Sequence, residues 1–197
     1  MVNATTLTRV KDFMGATTTD AARDALLTSL IESVSREFEA YIGYPLASAA
    51  RTEYHDLKLD TRILFLAVVP VASIAEVKVG PANWDFASLT ALTADTDYHL
   101  GADGQLYLNF RPGAIGLQKA KVTYTAGLGA SDEAVATAAP ALAMAANEQV
   151  AEEWRRRSNP STVSYPTPKG SKTLDAPHRM LPRVHELLAA FVRTSIP

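Results

Sequence analysis

The chain is predicted to be an α+β protein: a helical bundle built from both ends of the sequence, with a mainly antiparallel β-sheet region inserted between them. Three observations predict this. Apolar residues recur at helical spacing over residues 1–46 and again beyond 131; the period falls to two between 51 and 127; and an Asp-Gly turn signal joins two strand-like runs. The expectation is a single domain over 1–197, read as N-terminal helices (1–46), a β-rich region (51–127), a long helix (131–157), an extended arm (158–177) and a C-terminal helix (178–197). At 197 residues the chain is long enough to bury a core of its own.

Taken in order, Leu7, Val10, Phe13 and Met14 share one face of a short first helix, with Thr6 placed to cap it and Gly15 placed to stop it. The clearest segment follows. From about Thr19 or Asp20, the residues Leu26, Leu27, Leu30, Ile31, Val34, Phe38, Tyr41 and Ile42 fall on one helical face. Arg23, Asp24, Glu32, Arg36 and Glu39 lie opposite, and Gly43 with Pro45 ends the helix.

Strand-like runs occupy 63–71, 74–79, 106–110 and 121–125, rich in β-branched and aromatic residues. Asp103-Gly104 stands between Tyr98-His99-Leu100 and Leu106-Tyr107-Leu108, which predicts a hairpin and hence antiparallel pairing. Pro70, Pro81 and Pro112 mark strand ends or edges, because proline cannot donate to a ladder. Helix resumes near Pro140, with Leu142, Ala145, Ala146, Gln149, Val150 and Trp154 on one stripe. Residues 131–139 read either as an earlier turn of that helix or as a separate one. Pro160, Pro166, Pro168 and Pro177 make 158–177 an arm, and Val184, Leu187, Leu188, Phe191 and Val192 form the apolar face of a last helix.

Composition narrows the function. Nineteen basic and twenty-one acidic residues give a net charge of −2, which argues against a protein whose main work is gripping nucleic-acid backbone. The absence of cysteine excludes a disulfide framework and thiolate chemistry. No apolar run approaches a bilayer-spanning length and the opening residues lack a signal-peptide layout, so a protein made in the cytoplasm and not placed in a membrane is expected.

A search for chemistry finds little. His55-Asp56 and Asp97-Tyr98-His99 each put a carboxylate beside an imidazole, as a general base requires, but polar alternation in strands and turns explains both. His178 and His185 have the wrong spacing for a helical metal site. Lys169-Gly170-Ser171-Lys172 has glycine and lysine in the wrong order for a phosphate-binding loop. No catalytic, cofactor-binding or metal residues are assigned, and no cofactor is expected. Arg155, Arg156 and Arg157 beside Trp154 are candidate DNA-facing or interface charges, although basic residues are also favoured at a helix C-terminus and Glu148, Glu152 and Glu153 stand ready to pair with them.

The order of local patterns resembles the head-tail connector (adaptor) family of long-tailed phages and gene transfer agents. The carriers are Leu7-Thr8-Arg9-Val10-Lys11-Asp12-Phe13-Met14-Gly15, Asp24-Ala25-Leu26-Leu27, Tyr41-Ile42-Gly43-Tyr44-Pro45-Leu46 and Val122-Thr123-Tyr124-Thr125-Ala126-Gly127. Pro140 with the Ala-rich helix ending at Trp154, and Leu181-Pro182 with the closing helix, continue the order. The stretches 81–97 and 158–177 look longer than such an adaptor needs.

The resemblance implies a non-enzymatic virion subunit at the head-tail neck, assembled in the bacterial host cytoplasm. It would form a dodecameric ring with its own copies, between the portal protein above and a stopper or tail-side neck protein below, with DNA passing through the lumen without sequence-specific recognition. Val184, Leu187, Leu188 and Phe191 are then the candidate residues for docking to the portal or a neighbour, since so short a helix behind a polar arm is expected to gain its order from a partner. The alternatives are a stopper or tail-completion subunit, for which a mostly β-barrel chain is expected, and a small α+β enzyme or binding domain with a pocket joining His55, Asp56, Asp97 and His99.

Overall fold

The computed structural model describes residues 1–16, 20–80, 85–101, 104–113, 115–158, 164–167, 170–173 and 180–192. These form an α+β fold of two compact units. The first takes in residues 1–46 and 129–194, the second 47–128. Both chain ends therefore contribute to the helical unit, and the β-rich unit is an insertion, as the sequence predicts.

In the helical unit, α1 (Leu7–Phe13) opens on Thr6, whose side chain accepts from the Arg9 amide, and α2 (Ala21–Ile42) opens on Asp20, which accepts from the Ala22 and Arg23 amides. Each cap satisfies amides that the first helical turn leaves without a partner. Helix α2 buries Leu27, Ile31, Val34, Ser35, Phe38 and Ile42, while Tyr41, which the periodicity assigns to the same face, is 36% exposed. The core-facing stripe is narrower than the apolar one. Gly43 ends the helix at φ +84°, in the left-handed region that glycine enters without steric cost, and Glu39 then reaches forward to accept from the Leu46 amide at 2.8 Å.

The chain leaves this unit after Leu46 and returns at Gly129, whose amide donates to the Leu46 carbonyl at 3.3 Å. The residues 131–139, open in the sequence, form a separate helix, α3 (Asp132–Ala138), capped by Ser131. The reason for the break is Pro140: a proline disfavours helical backbone in the residue before it, and Ala139 lies at φ −130°, ψ +72°. Helix α4 (Pro140–Ser158) then packs its buried Leu142, Ala143, Ala145, Ala146, Gln149 and Val150 against α1, α2, α3 and α5 (Pro182–Ala189).

The N-terminal segment adds a set of bonds with no periodic signature. The Asn3 amide and side chain donate to Asp132 at 2.8 and 3.0 Å, the Ala4 amide donates to Ser35 at 3.0 Å, and the Thr5 hydroxyl donates to Asn147 at 2.8 Å. Three helices are thus tied together by residues that precede the first.

The β-rich unit holds two three-stranded antiparallel sheets. One has the order β1 (Ala49–Leu57), β6 (Gly116–Ala126), β3 (Val71–Val79); the other has β2 (Ile63–Phe65), β5 (Gln105–Leu108), β4 (Tyr98–Leu100). The predicted hairpin is present, with Tyr98 opposite Leu108 and Leu100 opposite Leu106. Gly104 sits at φ +71° in its connection, and Asp103 lies outside the described residues. The run 63–71 is not one strand but β2 and the start of β3, divided by the connection 66–70.

The two sheets share one core, to which Leu57, Val77, Ala120, Val122, Tyr124 and Ala126 come from the first and Leu64, Tyr98, Leu106 and Leu108 from the second. Gly127 at φ +128° closes β6, and a Cβ there would stand 2.4 Å from the Ala47 carbonyl oxygen, so the glycine in the Val122–Gly127 phrase is a packing requirement.

Within the arm, β7 (Ser164–Thr167) pairs antiparallel with β8 (Gly170–Thr173), and the remaining residues of 159–177 lie outside the described set. In 85–97, the buried Phe86 packs its ring 5.6 Å from Tyr54, while 81–84 lie outside that set.

Candidate functional site

The imidazole and carboxylate candidates do not assemble into a catalytic centre. Neighbours along a strand point to opposite faces, and Asp56 accepts from the Gln118 amide at 2.7 Å while His55 turns to Glu53, its Nε2 3.5 Å from Oε2. Asp97 accepts from the Thr93 amide at 2.8 Å, and His99 lies 3.4 Å from Asp95 with both side chains exposed. His55 belongs to the β1-β6-β3 sheet and His99 to the β2-β5-β4 sheet. An open depression of about 250 Å³ is lined by Ile74, Ala94, Asp95, Tyr98, His99 and Leu100, without His55, Asp56 or Asp97. His99→Ala should leave folding and particle assembly unchanged, checked by circular dichroism and by counting complete particles.

Among the described residues no cluster of His, Asp and Glu is placed to hold a metal ion, and no helix is long and apolar enough to cross a membrane. His178 and Lys169 lie outside those residues.

One titratable group that the sequence did not single out is Glu53. Its carboxylate accepts from the Tyr124 hydroxyl and twice from the Ala67 amide, at 3.2 and 3.0 Å, and the Val68 amide donates to the Tyr124 oxygen at 3.2 Å. Burial alone would raise the Glu53 pKa, but His55, the Tyr124 hydroxyl and the Ala67 amide together hold it below the usual carboxylate value. Burial, with Glu53 beside it, pushes the Tyr124 phenol up to about 12. The chain positions satisfied by this pair are backbone amides, so the cluster shapes the fold.

The candidate interface charges are mostly spent inside the helix. Arg155 pairs with Glu152 at 2.6 Å, and Arg156 pairs with Glu152 at 3.2 Å and Glu153 at 3.8 Å. Arg157 is exposed and has no ion-pair partner among the described residues. Trp154 is not free for base stacking, because the Arg23 guanidinium lies 5.1 Å from its ring centroid and joins α2 to α4.

Helix α5 finds a partner within its own unit. Val184 and Leu188 are fully buried, with α5 packed on α4 and α2, while Leu187 and Phe191 are half-buried. The buried Gln149 accepts from the Leu181 amide at 3.0 Å, Arg183 lies 3.4 Å from Glu148, and His185 meets Tyr41 edge-on at 4.9 Å. As the subunit stands, Val184 and Leu188 offer no surface to another protein; Leu187 and Phe191 do.

The larger exposed apolar surface lies in the β-rich unit. Ile63 and Phe65 on β2 and Tyr107 on β5 are 38%, 39% and 38% exposed, and Ile63 stands directly opposite Tyr107. At one end of the β1–β6 pair, where Leu57 faces Gly116, the turn carrying Leu59 and the segment carrying Ile115 and Leu117 come together, and these three are 67%, 55% and 74% exposed. The tip is fixed in shape by the Asp56–Gln118 bond, which holds Gln118 at φ +51°, a conformation that costs a non-glycine residue energy. One signal was legible: Ile63-Leu64-Phe65 is apolar on both faces of a strand.

Exposed apolar surfaces of this kind suit a class of protein that makes contacts with other chains. The comparisons give the class a family. The head completion protein model matches residues 3–165, and the chain belongs to the head completion protein family; it is a structural protein of the virion. No curated protein sequence matches it.

Among solved structures, it is similar to a chain in the neck of an empty gene transfer agent particle computed with C6 symmetry. The identity is 19% and the TM-score 0.61, over 98% of this chain and 92% of that one. A chain in the virion of a native gene transfer agent particle gives 19% identity and a TM-score of 0.58 over 98% and 92%. One in the neck of the native particle computed with C12 symmetry gives 19% and 0.52 over 100% and 97%. These likenesses are of fold.

Proposed function

We propose that the chain is the adaptor subunit of the head-to-tail neck: a ring of its copies docks beneath the portal, receives a stopper or tail-side neck protein below, and leaves a lumen for DNA. The observation that carries this reading is the helical unit made from both chain ends, in a family member whose fold resembles chains in the necks of gene transfer agent particles over nearly its whole length. A stopper subunit, expected to be mostly β-barrel, has no such bundle.

Cyclic rings need two different complementary surfaces on each subunit. Leu187 and Phe191 on α5 are proposed to contact the portal or a neighbour, and the apolar tip of the β-rich unit supplies a second contact. Val184 and Leu188 support that surface from beneath. Arg157, with Arg155 and Arg156 partly neutralised, is proposed to face the lumen or an interface; with a net charge of −2, DNA would pass without being gripped.

The free protein should be monomeric at micromolar concentration and form its ring only on portal-bearing heads. Light scattering of the free protein and co-sedimentation with purified heads test this. Failure to bind heads that carry a portal, or binding only after another neck protein is in place, would favour the stopper reading.

A further inference from the structure

We infer that Glu53 and Tyr124 form a clamp that fixes the angle between the two sheets of the β-rich unit, and that protonating Glu53 opens it. The sheets are joined in sequence by the connection 66–70. One end is held on the β2-β5-β4 side, where the Leu66 amide donates to the Gly104 carbonyl at 3.0 Å, and the other on the β1-β6-β3 side, where the Gly127 amide donates to the Pro70 carbonyl at 3.0 Å.

Between these ends Ala67 and Val68 lie outside any strand. They are met by side chains of the β1-β6-β3 sheet: Ala67 by both carboxylate oxygens of Glu53 and Val68 by the Tyr124 hydroxyl oxygen, which itself donates to Glu53. A carboxylate can accept from all of these donors at once; a protonated carboxyl has one oxygen fewer to offer and competes with Tyr124 as a donor.

The charged and titratable groups that face Glu53 are His55 and Tyr124, and Arg51 stands opposite Tyr124 across the strand pair; the 66–68 connection itself brings only backbone. Arg51 Nε is buried without a hydrogen-bond partner among the described residues, and His55 Nε2 lies 3.5 Å from the Glu53 carboxylate. Because the folded protein holds Glu53 below its ordinary value, the clamp is closed from neutral pH downwards until that lowered value is crossed, and it then opens. The Tyr124 phenol, raised to about 12, remains a donor across that whole range.

The test uses the full-length protein and its Glu53→Gln and Tyr124→Phe variants. Amide hydrogen exchange, corrected for intrinsic rates, should speed up roughly tenfold at Ala67 in Glu53→Gln and at Val68 in Tyr124→Phe at pH 7, and at both in the wild type as pH is lowered through the Glu53 titration. The Val122 amide should not change. Residual dipolar couplings should fit both sheets with one alignment tensor in the wild type at pH 6, and need two in Glu53→Gln or once Glu53 is protonated. Unchanged exchange at Ala67, or a single tensor under every condition, would overturn the clamp. If either variant fails to fold, the wild-type pH series decides alone.

Discussion

Leu188→Asp should lower the unfolding free energy by at least about 3 kcal/mol, and removal of α5 should leave a protein recovered mainly as aggregate. Leu188 and Val184 are both fully buried between α5, α4 and α2, and truncating one such side chain already costs about 2–5 kcal/mol. A charge there adds the penalty of desolvating an unpaired carboxylate. Against a total stability of about 5–15 kcal/mol, losing the whole helix also uncovers the apolar side of α4 and leaves Gln149 without the Leu181 amide. Urea titration with the slope held constant gives the number. If α5 were ordered only by a partner, Leu188→Asp would unfold at the wild-type midpoint and fail only in particle assembly.

The reverse behaviour is expected of the β-rich tip. Leu59→Asp and Leu117→Asp together should leave the unfolding midpoint within about 0.5 kcal/mol of wild type, because both side chains are mostly exposed in the subunit. Yet the pair should reduce incorporation into particles by tenfold or more if the tip is buried against a neighbour, where two introduced carboxylates would be desolvated without partners. Quantitative blotting of purified particles, beside the thermal transition of the free variant, separates the two quantities. Wild-type incorporation would remove the tip from the assembly surface.

How far the sequence carries is visible in particular residues. Thr6, Asp20, Gly43 and Pro140 act locally, through caps, a left-handed turn and a backbone restriction, so their roles were legible from the residues beside them. The contrast of period 3.6 and period 2 located the helical unit and its β-rich insertion for the same reason.

The missing parts depend on distant groups. Asn3, Ala4 and Thr5 look unremarkable until folding brings Asp132, Ser35 and Asn147 to them. His55 and Asp56 look like a pair because they are adjacent, but the strand separates them and supplies Glu53 instead. The sequence assigns the apolar face of α5 to docking on the portal or a neighbour; that Val184 and Leu188 pack on α4 and α2 within the subunit is tertiary information. Exposure of Leu117 at 74% is likewise a property of the folded sheet end, not of the residue.

The most direct measurement of the adaptor reading is an electron cryomicroscopy reconstruction of the particle that contains this chain, resolved well enough to trace it in the neck. The account predicts a ring of this subunit in contact with the lower face of the portal, α5 still packed on α4 and α2 in each copy, and the Leu59, Ile115 and Leu117 tip against a neighbouring chain. A ring separated from the portal by another protein, or a position outside the neck, would contradict it.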